Sequence, residues 1–100
     1  MRITRIEANL ALTDAVVVAF CNLIFDDVFI VRNIRVIKSL EGKRLVCMPS
    51  RRTTQGVFKD MAHPLTSDFR LIMEKAILSC VDELLEKSKH TETINATVTE

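Results

Sequence analysis

Two adjacent arginines, Arg51 and Arg52, have the side chains in this sequence best suited to binding chemistry. Hydroxyl residues flank them, Ser50 before and Thr53 after, and the polar segment ends at Gly56. Guanidinium groups make bidentate hydrogen bonds to phosphates and to guanine edges, and hydroxyl groups commonly contact phosphates. A polar run that ends in glycine is typical of a turn. The segment from Ser50 to Gly56 is therefore a candidate anion-binding loop, although the arginine pair alone also fits a solvated turn with surface ion pairs.

Positive charge is concentrated around this loop, although the whole chain has a formal net charge of only +1. Residues 32–59 carry a net charge of +7, with Glu41 as their single acid, and the rest of the chain carries −6. A basic block inside a neutral chain is a local electrostatic footprint, and it makes a nucleic-acid partner and a solvated turn about equally consistent with the residues. The candidate nucleic-acid contacts are Lys43, Arg44, Ser50, Arg51, Arg52, Thr53 and Lys59.

The sequence offers little for catalysis or for metal binding. Asp60 and His63 suggest an acid–base pair, but no nucleophile accompanies them, so we predict no enzymatic activity. His63 precedes Pro64 and is expected to form a local hydrogen bond. We predict no metal and no cofactor, because the cysteines lack the close spacing of a zinc site. They are expected to be small buried hydrophobes, at Cys21, Cys47 and Cys80.

Hydrophobic periodicity predicts the elements that would position the loop. Alternation over residues 4–12 and apolar runs over 16–25, 28–37 and 44–48 predict four strands. The pair Asp26-Asp27 is consistent with a hairpin turn, and a bulge near Arg32-Asn33 would keep the apolar residues of the third strand in phase. Because the connections are short, these strands should form an antiparallel meander.

A long helix is predicted after the loop, with Thr66 as its N-cap and apolar residues at helical spacing as far as Leu84. Its apolar surface is wider than one stripe, and the sheet has an exposed edge, so we expect a homodimer. The predicted fold class is α+β, a four-stranded antiparallel β-meander with a long C-terminal α-helix. We predict a single domain over residues 1–89 and a flexible tail over 90–100, which has few apolar anchors.

Two prolines, Pro49 and Pro64, bracket the basic loop and the extended piece that follows it, residues 57–62. This arrangement would present the arginines rigidly. Phe58 in the extended piece could stack on a nucleic-acid base, although a core position is the favoured interpretation. The methionines interpreted as core residues are Met48, Met61 and Met73.

The same region resembles the SpoVG family, the bacterial stage V sporulation and septation regulators. The resemblance is carried by Met-Pro-Ser-Arg-Arg-Thr at 48–53, then Gly56, Phe58, Lys59-Asp60 and Ala62-His63-Pro64, and by a second motif at residues 31–37. It covers about residues 1–85. The chain departs from the usual family pattern in having asparagine at position 33, Thr-Gln at 54–55 and valine at 57.

The resemblance implies a small bacterial regulator that binds DNA through the loop, with RNA binding left open. It also implies roles in transcription regulation, sporulation and division-septum formation. The alternative is a protein-interaction module in septum formation that does not bind nucleic acid directly and uses the sheet edge or the helix face. Division or regulatory proteins are then further candidate partners. The sequence has no apolar run long enough to span a bilayer and no signal peptide, so we expect a cytoplasmic chain without membrane insertion.

Overall fold

The computed structural model describes residues 1–11, 16–88 and 95–99. Its main sheet is an antiparallel meander of β1 (Ile3–Leu10), β2 (Val17–Phe25), β3 (Phe29–Lys38) and β4 (Arg44–Cys47). One long helix, α1 (Ser67–Ser88), packs against the sheet. The predicted α+β class, a four-stranded antiparallel meander followed by a C-terminal helix, is confirmed.

A separate two-stranded sheet lies between the meander and the helix in the chain. It consists of β5 (Ser50–Arg52) and β6 (Phe58–Asp60), which pair antiparallel with each other. We call residues 50–60 the basic hairpin. The hairpin follows β4 after only two residues, so the meander determines where it begins.

A fifth strand, β7 (Asn95–Thr99), extends the main sheet. It pairs antiparallel with β1, so that Arg5 stands opposite Thr99. Here the structure differs from the expected tail over 90–100, because the open edge of β1 offers backbone donors and acceptors that these residues satisfy. The rest of that range, 90–94 and 100, lies outside the described residues. In the described sheet β4 is the other edge strand.

The core lies between α1 and one face of the main sheet. Side chains that point to this face pair across the strands, with Ile6 opposite Leu23 and Ile34 opposite Cys21. From the helix, Ile77 and Val81 reach the same layer, and all of these side chains are almost completely buried. Burial of such a side chain typically contributes about 1.5–3 kcal/mol. The apolar periodicity of the strands and of the helix therefore defines one layer of contact.

Two of the four predicted core residues near the basic hairpin are in the core and two are not. Met48 and Met73 are buried, as predicted, whereas Phe58 is 68% exposed and Met61 is 67% exposed. These two predictions were wrong. Phe58 lies in β6 and Met61 follows it, and among the described strands β6 pairs with β5 alone. A two-stranded ribbon has no second layer that could bury an apolar side chain.

The predicted turn at Asp26-Asp27 joins β2 to β3. Asp26 and Asp27 have φ angles of 52° and 57°. Positive φ at both central residues is typical of a type I′ turn, which here lies within the three-residue connection 26–28. The N–H of Val28 donates to the carbonyl oxygen of Phe25 at 3.0 Å and closes the turn.

The predicted bulge in β3 lies at Arg32-Asn33. These two residues stand opposite the single residue Asn22 of β2. Asn33 has a φ angle of 65°, and its N–H donates to Oδ1 of Asn22 at 3.4 Å. The amide of Asn22 donates in turn to Oε1 of Glu7 at 3.2 Å. The extra residue keeps the apolar side chains on both sides of the bulge directed at the core.

The helix begins as predicted. The hydroxyl oxygen of Thr66 accepts a hydrogen bond from the N–H of Phe69 at 3.2 Å, which makes Thr66 the N-cap. Asp68 adds a negative charge in the first turn, where the helix dipole favours it. The Phe69 ring packs near that of Phe25, with ring centroids 6.1 Å apart. The capped helix start is thereby fixed to the end of β2.

Two of the three cysteines lie in the core. Cys21 and Cys80 are buried, as predicted, and Cys47 is half-buried. Burial, and then the nearby Cys80, raises the pKa of the Cys21 thiol from 9.0 to about 12. Burial and the nearby Glu83 also raise the pKa of Cys80. Both thiols are therefore held in the neutral form.

We expect the free energy of unfolding to fall as the pH rises from 9.0 towards about 12. In that range the unfolded chain loses the proton of Cys21 and the folded chain keeps it, so alkali favours the unfolded state. Urea denaturation above and below pH 9.0 would measure the change, with Cys21→Ala as the comparison. The variant should lose part of the alkaline decline. An identical decline in both proteins would contradict this assignment.

Candidate nucleic-acid interface

The candidate arginines lie on a strand of the basic hairpin rather than on an irregular loop. In the ladder, Ser50 stands opposite Asp60, Arg51 opposite Lys59 and Arg52 opposite Phe58. The predicted loop from 50 to 56 is therefore corrected, since residues 50–52 are strand and only the segment after them turns. One further bond, from the N–H of Met61 to the carbonyl oxygen of Pro49 at 2.7 Å, extends the ladder towards β4.

The turn of the basic hairpin is closed by backbone and side-chain bonds to Thr53. The N–H of Thr53 donates to the carbonyl oxygen of Val57 at 2.8 Å, and the N–H of Gly56 donates to the carbonyl oxygen of Thr53 at 2.9 Å. Gly56 has a φ angle of 82°, as expected for the last residue of a three-residue hairpin loop. The hydroxyl oxygen of Thr53 also accepts from the N–H of Val57 at 3.3 Å. Thr53 thus stabilises the turn. Its hydroxyl group can still donate a hydrogen bond to a phosphate.

The turn between β3 and β4 has the same construction. The N–H of Ser39 donates to the carbonyl oxygen of Lys43 at 2.8 Å, and Gly42 has a φ angle of 84°. The hydroxyl oxygen of Ser39 accepts from the N–H of Lys43 at 3.1 Å. Each turn thus uses a hydroxyl residue at its start and a left-handed glycine near its end. A substitution in the turn between β3 and β4 can therefore serve as the control for the same substitution in the turn of the basic hairpin.

The three cations of the basic hairpin are divided between its two faces. Side chains alternate along a strand, so Arg51 and Lys59 share one face while Arg52 and Phe58 share the other. All four side chains are exposed. Within residues 1–11 and 16–88, the ion pairs involve Arg5, Lys43, Arg44 and Arg70 and none of the hairpin cations. Arg51, Arg52 and Lys59 are therefore available to an external anion.

Lys43 and Arg44, two of the predicted contacts, lie at the other end of β4 from the hairpin. The extended chain from Lys43 to Ser50 covers about 20 Å. Lys43 pairs with Glu41, its Nζ 3.8 Å from Oε2. Arg44 forms an ion pair with Asp82 of α1. The structure thus brings together Ser50, Arg51, Arg52, Thr53 and Lys59 and places Lys43 and Arg44 elsewhere.

The ion pair between Arg44 and Asp82 follows from the alternation of side chains along β4. Arg44 is two residues before Val46, which stands opposite the buried Val36 on the helix-facing side. Arg44 therefore reaches the helix, where Asp82 accepts it. Since β4 and α1 are distant in the chain, this partner could not be identified from local spacing.

We expect Arg44→Ala to lower the free energy of unfolding by about 0–1 kcal/mol, the range for exposed ion pairs. The small value follows from exposure, since the side chains of Arg44 and Asp82 are 38% and 60% exposed. Urea denaturation would measure the loss, with Lys43→Ala as the control of equal charge change. Both variants should bind any nucleic-acid ligand of the hairpin as the parent protein does. A loss of affinity confined to Arg44→Ala would instead place this residue in the interface.

His63 follows the basic hairpin by three residues and contacts the backbone of the residue after it. The Nδ1 of His63 lies 2.9 Å from the carbonyl oxygen of Pro64, so the tautomer protonated at Nδ1 donates a local hydrogen bond, as predicted. The described part of the chain has no group of three His, Cys, Asp or Glu side chains that could hold a metal ion. It also has no helix long and apolar enough to cross a membrane.

The comparisons with known proteins all point to one family. The family model described as SpoVG matches residues 1–83. Proteins named "Putative septation protein SpoVG" are similar over most of their length. The one from Treponema denticola is 37% identical over 83 residues, which are 83% of this chain and 88% of that protein. The one from Staphylococcus carnosus is 37% identical over 83% of this chain and 77% of its own length. The one from Caldanaerobacter subterraneus subsp. tengcongensis is 36% identical over 92% of this chain and 100% of its own length. With its meander, its basic hairpin and most of its helix inside the matched region, this chain belongs to the SpoVG family.

Proposed function

We propose that this protein is a small regulator that binds nucleic acid through the basic hairpin, with DNA as the expected ligand and RNA left open. The observation that carries the proposal is the set of three exposed cations on the hairpin, none of them paired with a described carboxylate. Only Asp60 opposes their charge within residues 50–60. Such a surface attracts a polyanion.

The shape of the hairpin supports binding to a duplex. The major groove of DNA admits a two-stranded β-ribbon, and β5 and β6 form one. Arg51 and Lys59 stand opposite each other on one face and would neutralise neighbouring phosphates. A guanidinium can also form two hydrogen bonds with a guanine edge, which would add sequence preference. The protein would act by occupying its site rather than by chemical reaction.

A homodimer forms part of this proposal. On α1, Leu71 and Ile72 are more than half exposed although the opposite side of the helix packs on the sheet. A second copy that covers these apolar side chains would bring two basic hairpins to one nucleic acid through a two-fold axis. Light scattering should give the mass of a dimer for the parent protein and of a monomer for Leu71→Asp.

The second candidate is a protein-interaction module in division-septum formation. The names of the relatives, which describe septation proteins, favour it, and so does the exposed apolar part of α1. In this alternative the hairpin would be a solvated surface. A role in gene regulation or sporulation would then be indirect.

Salt dependence distinguishes the two candidates. Fluorescence anisotropy with labelled duplex DNA and with single-stranded RNA should show affinity that falls linearly with the logarithm of salt concentration. Each duplex phosphate neutralised contributes about 0.9 to the slope. Three hairpin cations therefore predict a slope of about −3 per subunit. Failure to bind either ligand at low salt would favour the protein-interaction module.

We also expect Gly56→Ala to weaken nucleic-acid binding while Gly42→Ala leaves it unchanged. An alanine in the left-handed region costs roughly 1–2 kcal/mol. At Gly56 the added Cβ would lie 3.5 Å from Nη2 of Arg52, and at Gly42 it would have nothing within 4 Å, so backbone strain is the main cost at both positions. Anisotropy and urea denaturation should show lost affinity for the first variant and lost stability alone for the second. Equal losses of affinity would argue against the hairpin as the site.

A further inference from the structure

Phe58 is an exposed aromatic side chain at the turn end of the ladder of the basic hairpin. It is 68% exposed and stands directly opposite Arg52. Its apolar ring has no described aromatic partner, since the ring contact found in the described part of the chain joins Phe25 and Phe69. A large aromatic on a charged ribbon does nothing for the core. Its exposure is more consistent with a role in binding.

The hydrogen-bond pattern of the hairpin shows how Phe58 and Arg52 are arranged. Backbone bonds join Thr53 to Val57 at one end of the ladder and Met61 to Pro49 at the other. Because bonded and non-bonded pairs alternate in an antiparallel ladder, the pair of Arg52 and Phe58 is of the non-bonded kind. Side chains in such pairs are the closer ones. The ring and the guanidinium therefore leave the same face side by side.

The guanidinium of Arg52 lies towards the turn. A Cβ on Gly56 would stand 3.5 Å from Nη2 and 3.8 Å from Nε of Arg52. No described carboxylate pairs with Arg52, so it remains available to a phosphate. This face thus offers an aromatic ring and, beside it, a cation on the turn side. The opposite face carries the two cations Arg51 and Lys59.

We propose that Phe58 is a stacking platform for an unpaired base, and that single-stranded nucleic acid is therefore a ligand of the hairpin. The proposal rests on the nucleic-acid function proposed above and names a ligand class and a residue for it. A base would stack on the Phe58 ring while Arg52 binds a phosphate of the same strand. Proteins that bind single strands combine such aromatic rings with a basic surface, because every base has a π-face. A base-paired duplex keeps its bases stacked on one another and cannot use the ring without opening.

The sequence provides a direct test, because the chain contains no tryptophan and no tyrosine. Phe58→Trp introduces a single indole whose fluorescence is quenched when a base stacks on it. Met61→Trp is the matched control, since Met61 is 67% exposed and lies after the end of β6, away from the pair of Phe58 and Arg52. Titration of both full-length variants with a single-stranded oligouridylate should quench the first indole strongly and the second weakly. A duplex of equal charge should quench neither strongly.

Affinity measurements on a second variant complete the test. Phe58→Leu keeps the charge and an apolar side chain but removes the aromatic face. It should lose roughly tenfold in affinity for the single strand, with an unchanged salt slope and little change for a duplex. Phe58→Tyr should bind as the parent protein does.

The possible failures are distinguishable. If Phe58→Trp binds the oligonucleotide by anisotropy without quenching, stacking is overturned and the nucleic-acid function remains. If the parent protein binds neither single strand nor duplex, both proposals fail together. If the indole of Phe58→Trp shifts to the blue as protein concentration rises without nucleic acid, Phe58 belongs to a protein interface and the stacking proposal is overturned.

Discussion

Arg51→Ala/Arg52→Ala is expected to lower the affinity for duplex DNA roughly 100-fold near physiological salt and to reduce the salt slope by about two units. Both guanidiniums are exposed on β5, on opposite faces of the basic hairpin, and neither has a described acid partner. Each therefore releases counterions when it meets a phosphate. Anisotropy over a salt series measures both quantities. The hairpin lies outside the core, so the variant should unfold at the same urea concentration as the parent protein.

The control for this result is Arg5→Ala/Lys75→Ala, which removes the same charge from β1 and α1. It should change the salt slope far less, because long-range attraction between exposed charges is screened beyond about 10 Å. Equal losses in the two double variants would mean that net charge, rather than the hairpin, determines binding.

Ile77→Ala is expected to lower the free energy of unfolding by about 2–5 kcal/mol. Ile77 is completely buried where α1 packs on the sheet, so the substitution removes apolar contacts and leaves a cavity. A loss of this size is a large part of the total of about 5–15 kcal/mol that small proteins have. Urea denaturation followed by circular dichroism would measure it.

Ile72→Ala, on the same helix, is the matched control. Ile72 is more than half exposed in the single chain, so its truncation should cost far less at protein concentrations too low for association. A cost that increases with protein concentration would support the proposed homodimer. Equal costs for the two variants in the dissociated protein would contradict the orientation of α1.

The meander could be predicted because its signals are local. The alternation in β1 and the turn residues Asp26-Asp27 identify the strands and one connection. The shift of apolar phase at Arg32-Asn33 identifies the bulge, and Thr66 identifies the start of the helix. Each of these depends on residues close together in the sequence. Local physical chemistry was sufficient for them.

The features that were missed depend on contacts between distant segments. Strand β7 owes its structure to the open edge of β1, and its own sequence has no strong apolar pattern. Arg44 finds its partner Asp82 across the sheet–helix contact. The residue type of Phe58 favours a core position, whereas its exposure follows from its place on a two-stranded ribbon that no other described strand covers.

The candidate site was predicted in part. The Arg51-Arg52 pair and Lys59 are neighbours in the ladder, as a short basic segment suggested. Lys43 and Arg44 lie at the far end of β4 from the hairpin. The charge block from 32 to 59 does not predict this, because the number of charges along a segment does not show which way the chain runs in the folded protein.

The most direct test of the account is a map of backbone amide chemical shifts in the labelled full-length protein during titration with a short DNA duplex. The account predicts that the largest changes occur at residues 50–60. The similar turn at residues 39–43 and the exposed Leu71 and Ile72 of α1 should change little. Shifts centred on α1 or on the edge of β4, with the hairpin unchanged, would contradict the proposal that the basic hairpin binds nucleic acid.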